Sequence, residues 1–288
     1  MLSIIFDSSE IESKKAFRVT KPNPPIPLKE GTSLLSRVEF ICTDVDDTIT
    51  TDGKLLPEAY AALWSAKRAG FKIVIVTGRP AGWADQMARF WPVDAVVCEN
   101  GALTFYMDES EKPPRMQRLW TQDESTIQGA KLLLEKIKED VLKEVPAAKV
   151  AFDQPFRFFD LAIDFAEDVS PLSKADVQKI SEVFKKHGAT SKVSSIHVNG
   201  WFGEFDKFKG LEKTFQTLWG LDLTKELDRA IYVGDSPNDE PLFQKFKLSV
   251  GVRNVEAFLS EMKSPPKFIT QNPGGLGFSE LISLLVSI

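Results

Sequence analysis

The sequence predicts an α/β protein, in which a doubly wound, Rossmann-like parallel sheet is interrupted by an inserted α+β domain. Apolar runs without alternation, such as FKIVIV at 71–76, are typical of strands buried on both faces of a parallel sheet. Such runs alternate with helical patterns in the first and last thirds, whereas in the middle third strands flank long helices. With 288 residues, 43% of them hydrophobic, the chain is long enough to bury a large core.

The core domain is predicted to be discontinuous, with one part at 36–105 and the other at 201–288. Pro57 suits the first turn of a helix and Gly70 its end, so a helix separates the first two buried strands. In the first part the predicted strands are 38–43, 71–76 and 94–98, and the helices are 57–70 and 83–90. In the second part the helices are 209–218, 240–246 and 278–288, and the strands are 230–233 and 248–252.

The α+β domain is predicted at residues 106–200. Thr121 and Glu124 form a capping box for an amphipathic helix that ends before Pro146. Strand-like stretches near 150, at 157–165 and at 194–205 surround a second helix at 173–186. Residues 1–35, with four prolines between 21 and 31, are predicted to be an extended N-terminal appendage.

The composition excludes several classes of function. A net charge of −5 argues against a protein that coats nucleic acid, because such a protein needs a basic stripe. Two cysteines inside apolar runs and two histidines are too few for a disulfide framework or a histidine-built metal centre. No apolar stretch is long enough to span a bilayer and no secretory signal is evident, so we expect a cytoplasmic protein without a membrane partner.

Two acidic motifs follow predicted strands. A DxDxT motif places Asp44 and Asp46 at the end of the first strand, and a GDxxND motif places Asp235 and Asp239 after a later one. Because parallel strands end at one edge of a sheet, these carboxylates are expected to meet there and to repel one another. Oxygen ligands without His or Cys favour Mg²⁺ as the cation that relieves this repulsion. The alternative is a pair of ordinary turns rich in Asp and Gly.

Two further positions suit an anion. Thr77 and Gly78 follow a buried strand and offer a hydroxyl and backbone N–H groups at a helix start. Lys209 opens a predicted helix and would act as a point charge toward a phosphate. Lys207 competes with Lys209 for this role.

In this order, the four elements resemble the motifs of the haloacid dehalogenase superfamily. The resemblance extends from about residue 38 to the end. Little chain separates Asp44 from Thr77 and much separates Thr77 from Lys209, which resembles the branch with a large α/β cap after the second motif. That branch includes Cof-type, sucrose-phosphate and mannosyl-phosphoglycerate phosphatases. The inserted domain would then be the cap.

The resemblance implies a role for each motif residue. Asp44 would be the nucleophile that forms an aspartyl-phosphate, and Asp46 the general acid and base. Mg²⁺ would be held by Asp44, the backbone carbonyl of Asp46 and Asp235. Asp239 would support the ion through a water molecule or by contacting the residues that bind the ion. The residues implied in binding the phosphoryl group are Thr77, Gly78, Lys209 and Asn238.

The sequence gives a weaker signal for the cap residues that would contact the substrate than for the core motifs. His197, Asn199 and Trp201 alternate on a predicted strand, so they share a face that would suit a sugar; the alternative is an ordinary half-buried strand. Arg157 is a candidate for a second anion, with a surface ion pair as the alternative. Arg79 faces either the phosphate or a core acid.

The sequence therefore predicts a Mg²⁺-dependent phosphatase for a small phosphorylated metabolite, with a sugar phosphate as the first candidate. A phosphomutase of the same family and a non-catalytic binding module are the alternatives. The oligomeric state stays open.

Overall fold

The structure is a computed structural model that describes residues 23–194 and 196–288. The strands are β1 (Ile26–Pro27), β2 (Phe40–Thr43), β3 (Thr50–Thr51), β4 (Lys54–Leu55), β5 (Lys72–Val76), β6 (Ala95–Cys98), β7 (Leu103–Asp108), β8 (Arg115–Trp120), β9 (Lys149–Val150), β10 (Leu161–Asp164), β11 (Thr190–Val193), β12 (His197–Trp201), β13 (Ala230–Gly234), β14 (Leu248–Gly251) and β15 (Phe268–Ile269). The helices are α1 (Thr32–Leu35), α2 (Pro57–Arg68), α3 (Ala81–Phe90), α4 (Glu124–Glu144), α5 (Lys174–Lys186), α6 (Lys207–Trp219), α7 (Leu223–Glu226), α8 (Glu240–Lys245) and α9 (Gly274–Ser287). Among the described residues, no helix combines the length and the apolar character needed to cross a membrane.

The α/β class predicted from the sequence is confirmed. Within the described residues, the central sheet has the order β1-β15-β14-β13-β2-β5-β6-β7-β8, parallel as far as β6 and antiparallel from β6 to β8. β2 and β13 are buried along their whole length, as their unbroken apolar sequences require. Because the chain leaves β2 toward β5 and later returns on the other side at β13, the ends of these strands flank a topological switch point.

The inserted domain forms a second sheet in the order β11-β12-β10-β9, packed against α4 and α5. Its own core includes Ile137, Val141, Ile180 and Phe184. We use "cap" for residues 121–202. The predicted boundary at 106 is corrected, because β7 and β8 pair with the central sheet and the cap begins only after Trp120.

The predicted appendage also needs correction where it is described; its residues 1–22 lie outside the described residues. β1 pairs with β15 at the edge of the central sheet, and Leu28 and Leu35 are buried in the main core. Residues 23–35 therefore belong to the core domain.

Helix starts follow the side chains that cap them. Asp123, rather than Thr121, caps α4 by accepting a hydrogen bond from the Thr126 N–H. Asp206 caps α6 by accepting from the Lys209 N–H at 2.8 Å. Helix α6 thus begins at Lys207, two residues before the predicted start.

A tight contact at Gly101 holds the start of α6 against the turn after β6. Gly101 has φ = 107°, and a Cβ there would overlap the Asp206 carbonyl. We expect Gly101→Ala to lower the free energy of unfolding by about 3 kcal/mol, as left-handed strain and overpacking add. Gly188 also has positive φ but has open space around its Cα, so Gly188→Ala should cost only about 1 kcal/mol. Equal losses in urea unfolding would contradict the contact argument.

Candidate active site

Three buried carboxylates converge where β2 and β13 end. Asp44 follows β2, and Asp235 and Asp239 follow β13; ligand oxygens of all three lie within 4.8 Å of one another. Their exposed fractions are 7%, 4% and 0%. The meeting of the two acidic motifs that the sequence predicts is thus present in the structure.

Because these three carboxylates are buried close together, their ionised forms are destabilised unless a cation lies nearby. Burial raises the pKa of Asp44 to about 7, and Asp239 and Asp46 add to the effect while Lys207 opposes it. Burial, together with Asp239 and Asp44, also holds the pKa of Asp235 well above its ordinary value. A site that offers only carboxylate oxygens fits a hard divalent ion such as Mg²⁺.

Asp239 holds other parts of the cluster in place. Its Oδ1 accepts from Lys207 Nζ at 2.9 Å and from the Tyr232 hydroxyl at 2.5 Å, and its Oδ2 accepts from the Asp235 N–H at 3.0 Å. Asp235 accepts in turn from Thr48 Oγ1 and Asn254 Nδ2, each at 3.2 Å. Asp239 is 0% exposed and is suited to positioning, whereas Asp44 and Asp235 keep some exposed surface and are better placed to hold an ion directly.

The lysine at this site is Lys207, which corrects the prediction of Lys209. Lys207 Nζ donates to Asp44 Oδ1 at 2.8 Å and is buried, whereas Lys209 Nζ donates to the Glu204 carbonyl at the surface. Burial lowers the pKa of Lys207, but the carboxylates of Asp239 and Asp44 outweigh it and keep the ammonium charged. Two residues apart on a helix are roughly 200° apart around its axis, so the two lysines face opposite ways.

Arg79 pairs with the second aspartate of the DxDxT motif. Its Nε lies 3.0 Å from both carboxylate oxygens of Asp46, and its Nη1 donates to Glu167 Oε1 of the cap at 2.9 Å. His197 and Arg79 together lower the pKa of Glu167 to about 2, against the opposing effect of burial. Arg79 therefore joins a core acid to the cap.

A small cavity lies over the carboxylates, between core and cap. From the core it is lined by Asp44, Asp46, Gly78, Arg79, Asp235, Ser236 and Asn238, and from the cap by Ser194, Ile196, His197 and Asn199. Thr77 is fully buried behind this wall, and its hydroxyl accepts from the Arg79 N–H at 3.0 Å. Of the predicted core residues, Asp44, Asp46, Gly78, Asp235 and Asn238 line this cavity. Asp239 and Thr77 lie buried behind it, and Lys209 lies apart at the surface.

The cap residues predicted on one strand face do not all reach the cavity: His197 and Asn199 line it, and Trp201 does not. His197 Nε2 lies 2.9 Å from Glu167 Oε2, without hydrogen-bond alignment, and Asn199 Nδ2 donates to Asp160 Oδ2. Trp201 lies outside this cavity, and its ring stacks on Phe205 with centroids 5.5 Å apart. The predicted indole platform for a sugar ring is therefore absent from this cavity.

Arg157 is neither an open anion site nor a surface ion pair. Its guanidinium is buried, pairs with Asp153 and Asp160, and donates to the Gly78 carbonyl at 3.0 Å. Arg157 thus links the cap to the core loop that contains Gly78. The prediction failed because partners that lie near in sequence are buried here by packing of the cap on the core.

Sequence reasoning missed two acids that join core and cap. Glu99, fully buried, accepts from the backbone N–H groups of Ala81, Phe158 and Phe159. Burial, with the Asp160 charge, raises the pKa of Glu99 to about 7. Glu167 lies in a polar loop after β10, where no sequence signal separates it from other surface acids.

Residues 41–128 match the family model described as haloacid dehalogenase-like hydrolase. The resemblance to the haloacid dehalogenase superfamily that the sequence motifs carry is thus confirmed over these residues. Phosphoglycolate phosphatase 2 of Saccharolobus solfataricus is 25% identical over 220 residues, 75% of this chain and 78% of that protein. The chain also shares its fold with solved structures. A Thermoplasma acidophilum protein has a TM-score of 0.65 at 16% identity, covering 87% of this chain and 99% of its own. The sucrose-phosphatase of Synechocystis sp. PCC6803 has a TM-score of 0.59 at 16% identity, covering 86% and 98%.

Proposed function

We propose that this protein is a Mg²⁺-dependent phosphomonoesterase that works through an aspartyl-phosphate on Asp44. The observation that carries the proposal is the convergence of Asp44, Asp235 and the Lys207 ammonium at one edge of the sheet, beneath a small cavity. An anionic nucleophile reaches a phosphate dianion only where positive charge offsets their repulsion. Here Lys207 is one such charge, and the carboxylates suit the other.

In the first step, a carboxylate oxygen of Asp44 attacks phosphorus, and the bond to the leaving oxygen breaks as Asp46 gives that oxygen a proton. In the second step, Asp46 takes a proton from water, whose oxygen attacks the aspartyl-phosphate; phosphate leaves, Asp44 is again a carboxylate and Asp46 is again protonated. Lys207, Asn238 and the Gly78 N–H group would bind the transferring oxygens. Bound Mg²⁺, held by Asp44, Asp235 and the Asp46 carbonyl, would neutralise charge that develops on the phosphoryl group.

The substrate that best fits the site is a small phosphorylated acid of the phosphoglycolate class. The cavity over the carboxylates has a volume of about 30 Å³, which leaves little room for a leaving group. Relatives named phosphoglycolate phosphatase cover most of this chain. A sugar phosphate, the first candidate from sequence, becomes the second, because Trp201 does not face this cavity and a fold likeness to a sucrose-phosphatase names no substrate.

The proposal is tested by phosphate release from phosphoglycolate, sugar phosphates and nucleotides, with Mg²⁺ or with a chelator. We expect Mg²⁺-dependent release that is fastest with phosphoglycolate. Asp235→Asn should raise the Mg²⁺ concentration needed for half-maximal activity by about tenfold or more, since it removes a charged ligand of the ion. Asp228, which pairs with Lys247 at the surface, offers a matched control, and Asp228→Asn should leave this requirement unchanged.

The alternatives give different results. A phosphomutase would release phosphate slowly and need a bisphosphate primer. A binding module would release none and would not trap fluoroberyllate on Asp44. The cytoplasmic location predicted from the sequence stays part of the proposal.

A further inference from the structure

A second cavity lies next to the first and shares Asn238 with it. Its wall includes Asn100, Trp201, Lys207, Phe208 and Asn238. Asn238 lines both cavities, and Lys207, which lines this one, donates from its Nζ to Asp44, which lines the other. A group held here would therefore lie beside the phosphoryl site.

Two buried donors along this cavity have no partner. Among the described residues, only three buried side-chain polar atoms lack a hydrogen bond, and two of them are Asn100 Nδ2 and Trp201 Nε1. The two residues are 3% and 1% exposed, and each lines this cavity. Unpaired buried N–H groups are costly, and two in one cavity mark a place for an acceptor.

The volume and the lining residues of this cavity indicate which kind of acceptor it would bind. The cavity volume of about 30 Å³ is about twice what one water-sized atom requires, which matches two oxygens. Both orphan groups only donate, and two basic residues, Lys192 and Lys207, line the same cavity. The other residues of the wall are Asn238, Phe208, Pro241 and Leu242, and Asp206, whose Oδ1 accepts from the Lys209 N–H as the cap of α6.

We propose that this cavity is a subsite for the carboxylate of the substrate's leaving group, held by the Asn100 and Trp201 donors. The inference rests on the proposed phosphatase function and deepens it. It makes Asn100 and Trp201 specificity-determining residues for phosphorylated acids over neutral phosphate esters. Lys192 would supply positive charge near the carboxylate, and the phosphoryl group would lie over Asp44.

The test compares phosphoglycolate with ethyl phosphate, which has the same two-carbon length but a methyl group in place of the carboxylate. Trp201→Phe removes the N–H and keeps an aromatic ring on Phe205. Asn100→Asp keeps the shape and tolerates the left-handed φ of 57° at this position while replacing the donor by a like charge. We expect each variant to lower kcat/KM for phosphoglycolate about tenfold to a hundredfold and that for ethyl phosphate less than threefold.

Trp120→Phe is the matched control, because the Trp120 ring packs on Phe158 outside this cavity; it should change neither substrate's kcat/KM. Equal losses for both substrates, or no loss in either variant, would overturn the subsite. If the wild type hydrolyses no phosphate ester, the proposed function fails by itself. The subsite is then judged by calorimetric titration with the two esters, where only phosphoglycolate should lose affinity in the variants.

Discussion

Asp44→Asn is expected to lower kcat by at least about 10⁴-fold while the protein stays folded. The amide has nearly the shape of the carboxylate, but it lacks the anionic oxygen that attacks phosphorus. Its carbonyl oxygen still accepts from Lys207, as Asp44 Oδ1 does at 2.8 Å. The residual rate would reflect substrate binding and charge stabilisation alone.

The fold should tolerate this change, because the substitution removes one of three crowded negative charges. Asp44, Asp235 and Asp239 offer oxygens within 4.8 Å of one another, and burial raises the pKa of Asp44 to about 7. Without Mg²⁺, the thermal midpoint of Asp44→Asn should therefore equal or exceed that of the wild type.

The control for this prediction is Asp85→Asn, since Asp85 pairs with Arg89 on α3 and lies outside both cavities. It should keep full activity. If Asp44→Asn retained more than about one hundredth of the wild-type kcat, without deamidation in its mass spectrum, Asp44 would not be the nucleophile.

The carboxylate cluster was predictable from sequence because its position depends on local rules. Each acid directly follows an apolar run, and parallel strands place their carboxyl ends at one edge of the sheet. No long-range packing had to be known for Asp44 to meet Asp235. The same reasoning predicted α2, which Pro57 begins.

The boundary between core and cap was not predictable in this way. β8 has the sequence RMQRLW and no buried residue, so nothing local shows whether it pairs with the central sheet or with the cap. Its place is decided by pairing with β7 across a hairpin. Arg157, Glu99 and Glu167 escaped prediction for a related reason, since their roles arise only when the cap packs on the core.

Lys207→Gln is expected to lower kcat/KM by about 10²–10³-fold, whereas Lys209→Gln should change it less than twofold. The two substitutions remove the same charge from positions two residues apart, so they form a matched pair. Lys207 Nζ contacts Asp44 and Asp239 inside the site, and Lys209 Nζ contacts a backbone carbonyl at the surface. Loss of one charged donor to a transferring group accounts for the size of the effect.

Stability gives a second readout for the same pair. Without Lys207, Asp44 and Asp239 lose their buried counter-charge, so the free energy of unfolding should fall by about 3 kcal/mol in the absence of Mg²⁺. Mg²⁺ should restore part of this loss, because it supplies positive charge to the same carboxylates, but it should not restore kcat/KM. Kinetics are therefore measured at a temperature where circular dichroism shows Lys207→Gln to be folded. The reverse pattern, with Lys209→Gln inactive and Lys207→Gln active, would return the phosphate-binding role to Lys209 and require α6 to begin two residues later.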